Sequence, residues 1–205
     1  MTNLINPLLV FVAFSLYGLV HSLLASLTMK AWITRSFKNT LDPYYRLIYS
    51  IFGALSLLPV LALTVFLPDR KLYTIPDPWI LLTLTLQAVA GFGALATLRQ
   101  TDSWIFLGFK QLIQNTAEPK DNLRVDGLYR YMRHPIYSFG LVILWLYPWM
   151  SANILALIAA MTLYILVGAV FEERKLLVQY GDAYRAYQKN TPFLIPNPFR
   201  KLAGG

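Results

Sequence analysis

Among the residues of this chain, His134, Glu172 and Glu173 have the types and setting to do chemistry. His134 belongs to Gly127-Leu128-Tyr129-Arg130-Tyr131-Met132-Arg133-His134-Pro135-Ile136-Tyr137, just ahead of one apolar stretch, and Glu172-Glu173-Arg174 follows the next. In lipid, two such stretches form a hairpin whose outer ends return to one face, so residues remote in sequence become neighbours. Pro135 disfavours helix at His134 itself but permits helix to begin at once, which presents the imidazole at a helix entrance. The amides there attract an anionic group such as a carboxylate, and Arg133 adds to the attraction. The two glutamates stand where an apolar stretch ends, and an unpaired charge is costly there, so they need a cationic partner from the protein or from a ligand. A ligand with a carboxylate, an ammonium and an aromatic base suits the helix entrance, the acidic pair and the rings of Tyr129, Tyr131 and Tyr137. The same residue types fit a plainer reading, in which Glu172 pairs with Arg174 or Arg133 at an interface and the tyrosines form a membrane belt. His21 lies within an apolar stretch beside Tyr17, Ser22 and Ser26, where a structural hydrogen bond and a role at the site are both open.

The elements that must position these groups are apolar. Of the 205 residues, 57% are hydrophobic and only 14% charged, too apolar a balance for an ordinary soluble domain. The expected architecture is all-α and integral to the membrane, with five transmembrane helices near 7–27, 44–67, 79–98, 135–148 and 152–171. The fourth stretch is short, covering roughly 18 Å of a roughly 30 Å core. Either its helix starts earlier, or the His134 region lies below the membrane surface. Asp42-Pro43 reads as a helix start. After Glu172 the apolar positions Leu176, Leu177, Tyr180, Tyr184 and Tyr187 predict an amphipathic C-terminal helix, interrupted near Gly181, that closes over the ends of the helical hairpin. No repeat or low-complexity linker divides the chain, so a single domain over 1–205 is expected, with its polar regions at 100–135 and 172–196.

The formal net charge of +8 does not point to nucleic acid, because the basic residues follow topology instead of forming one patch. Nearly all of the 18 Lys and Arg fall in alternate segments, among them Lys30, Arg35, Lys38 and Arg46, the stretch from Arg99, and the tail from Arg174. That asymmetry predicts an N-terminus outside and a C-terminus in the cytoplasm. The bacterial inner membrane is the expected location. With no cysteine, disulfides and thiolate metal sites are excluded. The first apolar stretch reads as a retained helix instead of a cleaved signal, for it is full length and lacks a basic leader.

The motif around His134, together with Phe171-Glu172-Glu173-Arg174 and Tyr180-Gly181-Asp182-Ala183-Tyr184-Arg185-Ala186-Tyr187, resembles the membrane methyltransferases that include isoprenylcysteine carboxyl methyltransferase and the phospholipid methyltransferases. Within that group the nearest likeness is to methanethiol S-methyltransferase and the NnrU-type proteins. His21-Ser22, Phe106-Leu107-Gly108-Phe109-Lys110-Gln111 and Tyr164-Ile165-Leu166-Val167 resemble that branch.

What the resemblance implies is an S-adenosylmethionine site between a cytoplasmic loop, the hairpin ends and the C-terminal helix. By position, Gln114, Leu123, Arg124, Tyr129, His134, Pro135, Tyr137 and Glu172 match residues that line the cofactor, with Glu173 beside them. His134, Glu172 and His21 are the catalytic candidates, the histidines as bases for a thiol. The implied partners are the bilayer and a small thiol or lipophilic methyl acceptor. An arginine that serves the substrate of the isoprenylcysteine enzymes falls here on Gly168, which argues against a carboxyl O-methyltransferase of that type. The alternatives are that isoprenylcysteine-type carboxyl O-methyltransferase, an NADPH-dependent sterol-type reductase, with a related C-terminal arrangement, and a non-catalytic NnrU-like accessory protein.

Overall fold

In a computed structural model of the chain, residues 4–37, 44–100 and 123–196 are described. They form α1 (Ile5–Ala25), α2 (Leu27–Ser36), α3 (Tyr45–Phe66), β1 (Lys71–Thr74), α4 (Trp79–Gln100), α5 (Pro135–Trp145), β2 (Trp149–Ser151), α6 (Ala152–Tyr180) and α7 (Asp182–Asn190). Four of these, α1, α3, α4 and α6, are long and apolar enough to cross a membrane. Large apolar side chains such as Phe66, Phe92 and Val65 are exposed on them, the pattern of helices that lipid surrounds. The predicted fourth span, 135–148, takes the form of an 11-residue helix that at about 1.5 Å per residue reaches about half of a roughly 30 Å core. By the same measure the 29 residues of α6 exceed that core by several residues, and its polar end from Glu172 continues beyond the apolar stretch.

The first predicted span ends earlier than expected, at Ala25, because Ser26 starts a new helix. Its backbone is extended, and its hydroxyl accepts from the Met29 amide at 3.2 Å, an N-cap that satisfies one of the orphan donors of α2. The Asp42-Pro43 start expected for α3 lies outside the described residues. The mostly helical chain also carries a small antiparallel sheet that the sequence reading did not foresee, β1 with β2, in register Tyr73 with Met150 and Thr74 with Trp149. Asp69 fixes the turn beside it, its Oδ1 accepting from the Asn153 amide at 3.0 Å where α6 begins.

The described chain gathers into two compact units. One holds α1 to α3, the sheet and the first part of α6; the other holds nearly all of α4, with α5, the rest of α6 and α7. In the first unit Phe14, Val60 and Ala160 form a buried core, packed by Phe11, Leu57, Leu157 and Tyr164. His21 belongs to this unit. In the second unit α4 seats α5. A Cβ at Gly93 would stand 2.5 Å from the Phe139 ring, so only a bare backbone admits that ring, and the Gln87 amide donates to the Ile143 carbonyl at 2.7 Å. At its other end α4 holds the motif loop: Gln100 Oε1 accepts from the Leu128 amide at 3.3 Å. Gly127, at φ +57°, stands in the left-handed region that favours glycine, with the end of the Gln100 side chain lying where a Cβ would be.

Candidate functional site

The second unit builds one polar site from five segments of chain. The loop Leu123–Arg124 and the 3₁₀ turn Gly127–Arg130 supply Leu123, Arg124 and Tyr129. The start of α5 supplies Arg133 and His134, the end of α6 supplies Glu172, Leu176 and Tyr180, and α7 supplies Tyr184 and Tyr187. Together they line a cavity of about 200 Å³. His134 caps α5 with non-helical backbone, φ −124°, and Pro135 occupies the first helical turn, buried, as the restriction before proline demands. The imidazole is almost fully buried. Tyr137 stacks on it at 5.3 Å between ring centroids, and Phe193 meets it edge-on at 5.0 Å.

The two glutamates, adjacent in sequence, have different surroundings. Glu172 is about half exposed on the cavity wall; its Oε2 accepts from the Tyr137 hydroxyl at 2.8 Å and lies 3.7 Å from His134 Nδ1. Glu173 is largely buried and off the cavity. Its Oε1 meets Arg133 Nε at 2.5 Å and His134 Nε2 at 3.2 Å, and its Oε2 accepts from Gln188 at 2.8 Å. A neutral imidazole has one N–H, and the Nε2 contact to Glu173 is the shorter one. Each ring nitrogen of His134 thus faces a carboxylate, Nε2 the buried Glu173 and Nδ1 the cavity-wall Glu172.

Burial pushes the phenols of Tyr184 and Tyr187 well above their ordinary pKa, with the Glu173 charge adding for Tyr184 and the neighbouring Tyr129 for Tyr187. Both stay neutral at ordinary pH. The Tyr187 hydroxyl donates to the Tyr129 carbonyl at 2.6 Å, tying α7 to the motif turn. The cavity therefore offers aromatic rings, one partly solvated carboxylate and one partly solvated guanidinium, that of Arg124. Such a set suits a zwitterionic ligand that carries extra positive charge.

Of the residues singled out in the sequence as site candidates, Leu123, Arg124, Tyr129, Arg133, His134 and Glu172 line this cavity together. Pro135, Tyr137 and Glu173 stand behind them as supports. Gln114 lies outside the described residues. Tyr131 is exposed and not on the wall. Arg133, expected to add attraction for an anion, also lines the cavity, with its guanidinium bonded to Glu173 and to the carbonyls of Gln188 and Thr191. The amides of Arg133 and His134 likewise donate to the Pro192 and Phe193 carbonyls. His21 sits among the rings of Tyr17, Tyr49 and Tyr164, with Nε2 at 2.5 Å from the Tyr49 hydroxyl.

Leu176, Tyr180, Tyr184 and Tyr187 were legible as one face of an amphipathic stretch but not as a wall of the site. Their spacing, near four residues and continued across the Gly181 break, was the available signal.

Residues 82–183 match the Phospholipid methyltransferase family, a range that contains the motif turn, α5 and the acidic pair. Methanethiol S-methyltransferase 1 of Bradyrhizobium diazoefficiens is 32% identical over 191 residues, covering 89% of this chain and 64% of that protein. This chain thus spans just under two thirds of that relative. A methanethiol S-methyltransferase of a Pseudomonas species is 30% identical over 187 residues, covering 89% of this chain and 70% of the relative. That of Crocosphaera subtropica is 27% identical over 207 residues, covering 95% and 76%. No solved structure matches.

Proposed function

We propose, from the premise that this chain belongs to the phospholipid methyltransferase-like family of membrane methyltransferases, that it moves a methyl group from S-adenosylmethionine to a small thiol of the methanethiol kind or to a lipophilic acceptor. The observation that carries this reading is the convergence of Glu172, His134, Arg124 and Tyr129 on one cavity. The donor set fits the cofactor. Glu172 is the carboxylate for its positive groups, Arg124 the cation for its carboxylate, and the tyrosine rings flank the rest. Leu123 and Gln114 join this set by position, Pro135 fixes the His134 backbone, and Tyr137 orients Glu172 through its hydroxyl. When bound, S-adenosylmethionine supplies a methyl on a positively charged sulfur, already a strong electrophile.

The chain's own work is then placement, dryness and one proton. The wall formed by Leu176, Tyr180, Tyr184 and Tyr187 excludes water, which strengthens every charge interaction inside. A thiol with a pKa near 8.5, as for cysteine, is mostly protonated at neutral pH, so a base speeds transfer. His134 Nδ1, held as an acceptor by the bond its other nitrogen makes to Glu173, takes that proton. His21 is the second candidate. Gly168, where nothing lies within 4 Å of a built Cβ, offers no cation for a substrate carboxylate, which favours a thiol over a carboxyl acceptor. The chain is an integral membrane protein; its proposed arrangement has α5 and α6 as a hairpin, a fifth span at 135–148, and an outside N-terminus with the site on the cytoplasmic side of a bacterial inner membrane.

The test is calorimetry on the purified protein in detergent with S-adenosylmethionine and with NADPH, followed by transfer from a labelled methyl donor to a panel of thiols and lipids read by mass spectrometry. Binding of the methyl donor and a labelled thioether are the expected results. Binding of NADPH alone overturns the reading in favour of a reductase, and donor binding with no transfer to any acceptor favours an accessory protein.

A further inference from the structure

We infer that Arg133 and Glu173 are positioning residues that latch the C-terminal segment over the cavity, so that the acidic doublet divides its work. Glu172 meets the ligand, and Glu173 acts only through the protein. This rests on reading the cavity as the donor site.

The argument begins with what Glu173 touches. Its carboxylate is 14% exposed, and both of its oxygens are taken by Arg133, His134 and Gln188. Having made those bonds it has little left for a ligand, and it does not line the cavity. Arg133 carries the contact onward. Its Nη1 donates to the Gln188 carbonyl at 3.0 Å and to the Thr191 carbonyl at 2.6 Å, the last acceptors of α7, where a cation is favourable. The chain beyond α7 is laid along the start of α5. Pro192 and Phe193 accept from the Arg133 and His134 amides at 2.8 and 3.2 Å, the Leu194 carbonyl accepts from Ser138 Oγ at 2.6 Å, and the Phe193 ring lies under the Arg133 guanidinium at 5.5 Å. One planar, forked cation thus fastens α7 and the following strap to α5 and α6. A lysine, with a single point charge, cannot reproduce that geometry. What the latch holds in place matters: α7 brings Tyr184 and Tyr187 to the cavity, and the strap backs His134.

A residue that touches the ligand and one that acts through the protein are separated by the charge of the probe. S-adenosylmethionine carries a positive sulfur, and S-adenosylhomocysteine is neutral there but otherwise alike. In the full chain, Glu172→Gln is expected to lower the affinity ratio of the first to the second by about tenfold, the worth of one charge-assisted contact. Glu173→Gln and Arg133→Lys are expected to weaken both ligands equally and leave the ratio unchanged. Hydrogen exchange distinguishes a latch from general destabilisation. In Glu173→Gln and Arg133→Lys, amides of 182–194 are expected to exchange about tenfold faster or more while those of α1 keep their wild-type rates, because the opening is local. Saturating donor should slow the accelerated region again. A shifted ratio in Glu173→Gln overturns the inference, as do unchanged exchange at 182–194 or acceleration throughout the chain. Should the wild-type protein bind neither ligand, the functional reading fails, and the exchange measurement without ligand still decides whether the latch exists.

Discussion

The two histidines of this chain sit in different units, and both are packed by aromatic rings, yet among the described ion pairs only His134 has carboxylate partners. His21 stacks near Tyr17 at 5.6 Å and Tyr49 at 4.7 Å, its Nε2 bonded to the Tyr49 hydroxyl. Its Nδ1 is buried with no hydrogen-bond partner among the described residues. No carboxylate meets it there through a described ion pair. His134 stacks on Tyr137 at a similar separation, but each of its nitrogens faces a different glutamate, and it lines a cavity. Ring packing sets the orientation of an imidazole, and hydrogen-bonding carboxylates set the chemistry open to it. A histidine in an apolar stretch is therefore informative only together with what stands opposite it.

The contrast breaks first at the acidic side. Glu172→Gln and His134→Ala are each expected to abolish turnover, with donor affinity in Glu172→Gln falling by about 100-fold, roughly two charge-assisted contacts. Calorimetry and a labelled-methyl assay measure both. Full activity in the two variants would strip the second unit of its role. A smaller effect is expected at the other histidine: His21→Ala slows turnover by about tenfold, less than the roughly 100-fold or more that losing a general base costs, with donor affinity unchanged. If instead only the melting temperature falls and the kinetics stay as they were, His21 is a packing residue and the contrast sharpens. The smallest effect concerns the tyrosines around His134. Tyr187 and Tyr184 have folded pKa values above the ordinary value near 10, so above about pH 10 the unfolded chain releases protons that the folded chain keeps. Stability is intact below that pH and declines as pH rises beyond it. Thermal unfolding followed from pH 8 to about pH 11 should show the decline, and Tyr187→Phe should flatten it.

Much of the site was legible because lipid leaves few choices. The apolar stretches flanking His134 and Glu172 predicted that the two would meet, and the motif with proline after the histidine predicted an imidazole at a helix start. The division between Glu172 and Glu173 was not legible. Two identical neighbours on a helix point about 100° apart, and nothing in the sequence says which of them Arg133 reaches. The ion pair expected between Glu172 and Arg174 or Arg133 forms instead between Glu173 and Arg133, and Glu172 is left on the cavity wall beside Tyr137. The commitment of Arg133 to the Gln188 and Thr191 carbonyls was hidden for the same reason, since backbone acceptors leave no trace in residue type. In the fold, α1, α3, α4 and α6 followed from hydropathy. The sheet did not, because strands of 4 and 3 residues are too brief for an alternating pattern to register. Ser26 reads as an N-cap only once α2 is seen to exist.

The bare backbone at Gly93 ties its fate to one partner. With the Phe139 ring occupying the space a methyl would need, a larger side chain at position 93 is tolerated only when position 139 shrinks, so across relatives that share this seat the two sites should drift as a matched pair. A polymorphism at 93 alone would move α5 and the imidazole at its head, and impair the site without altering any residue that lines it.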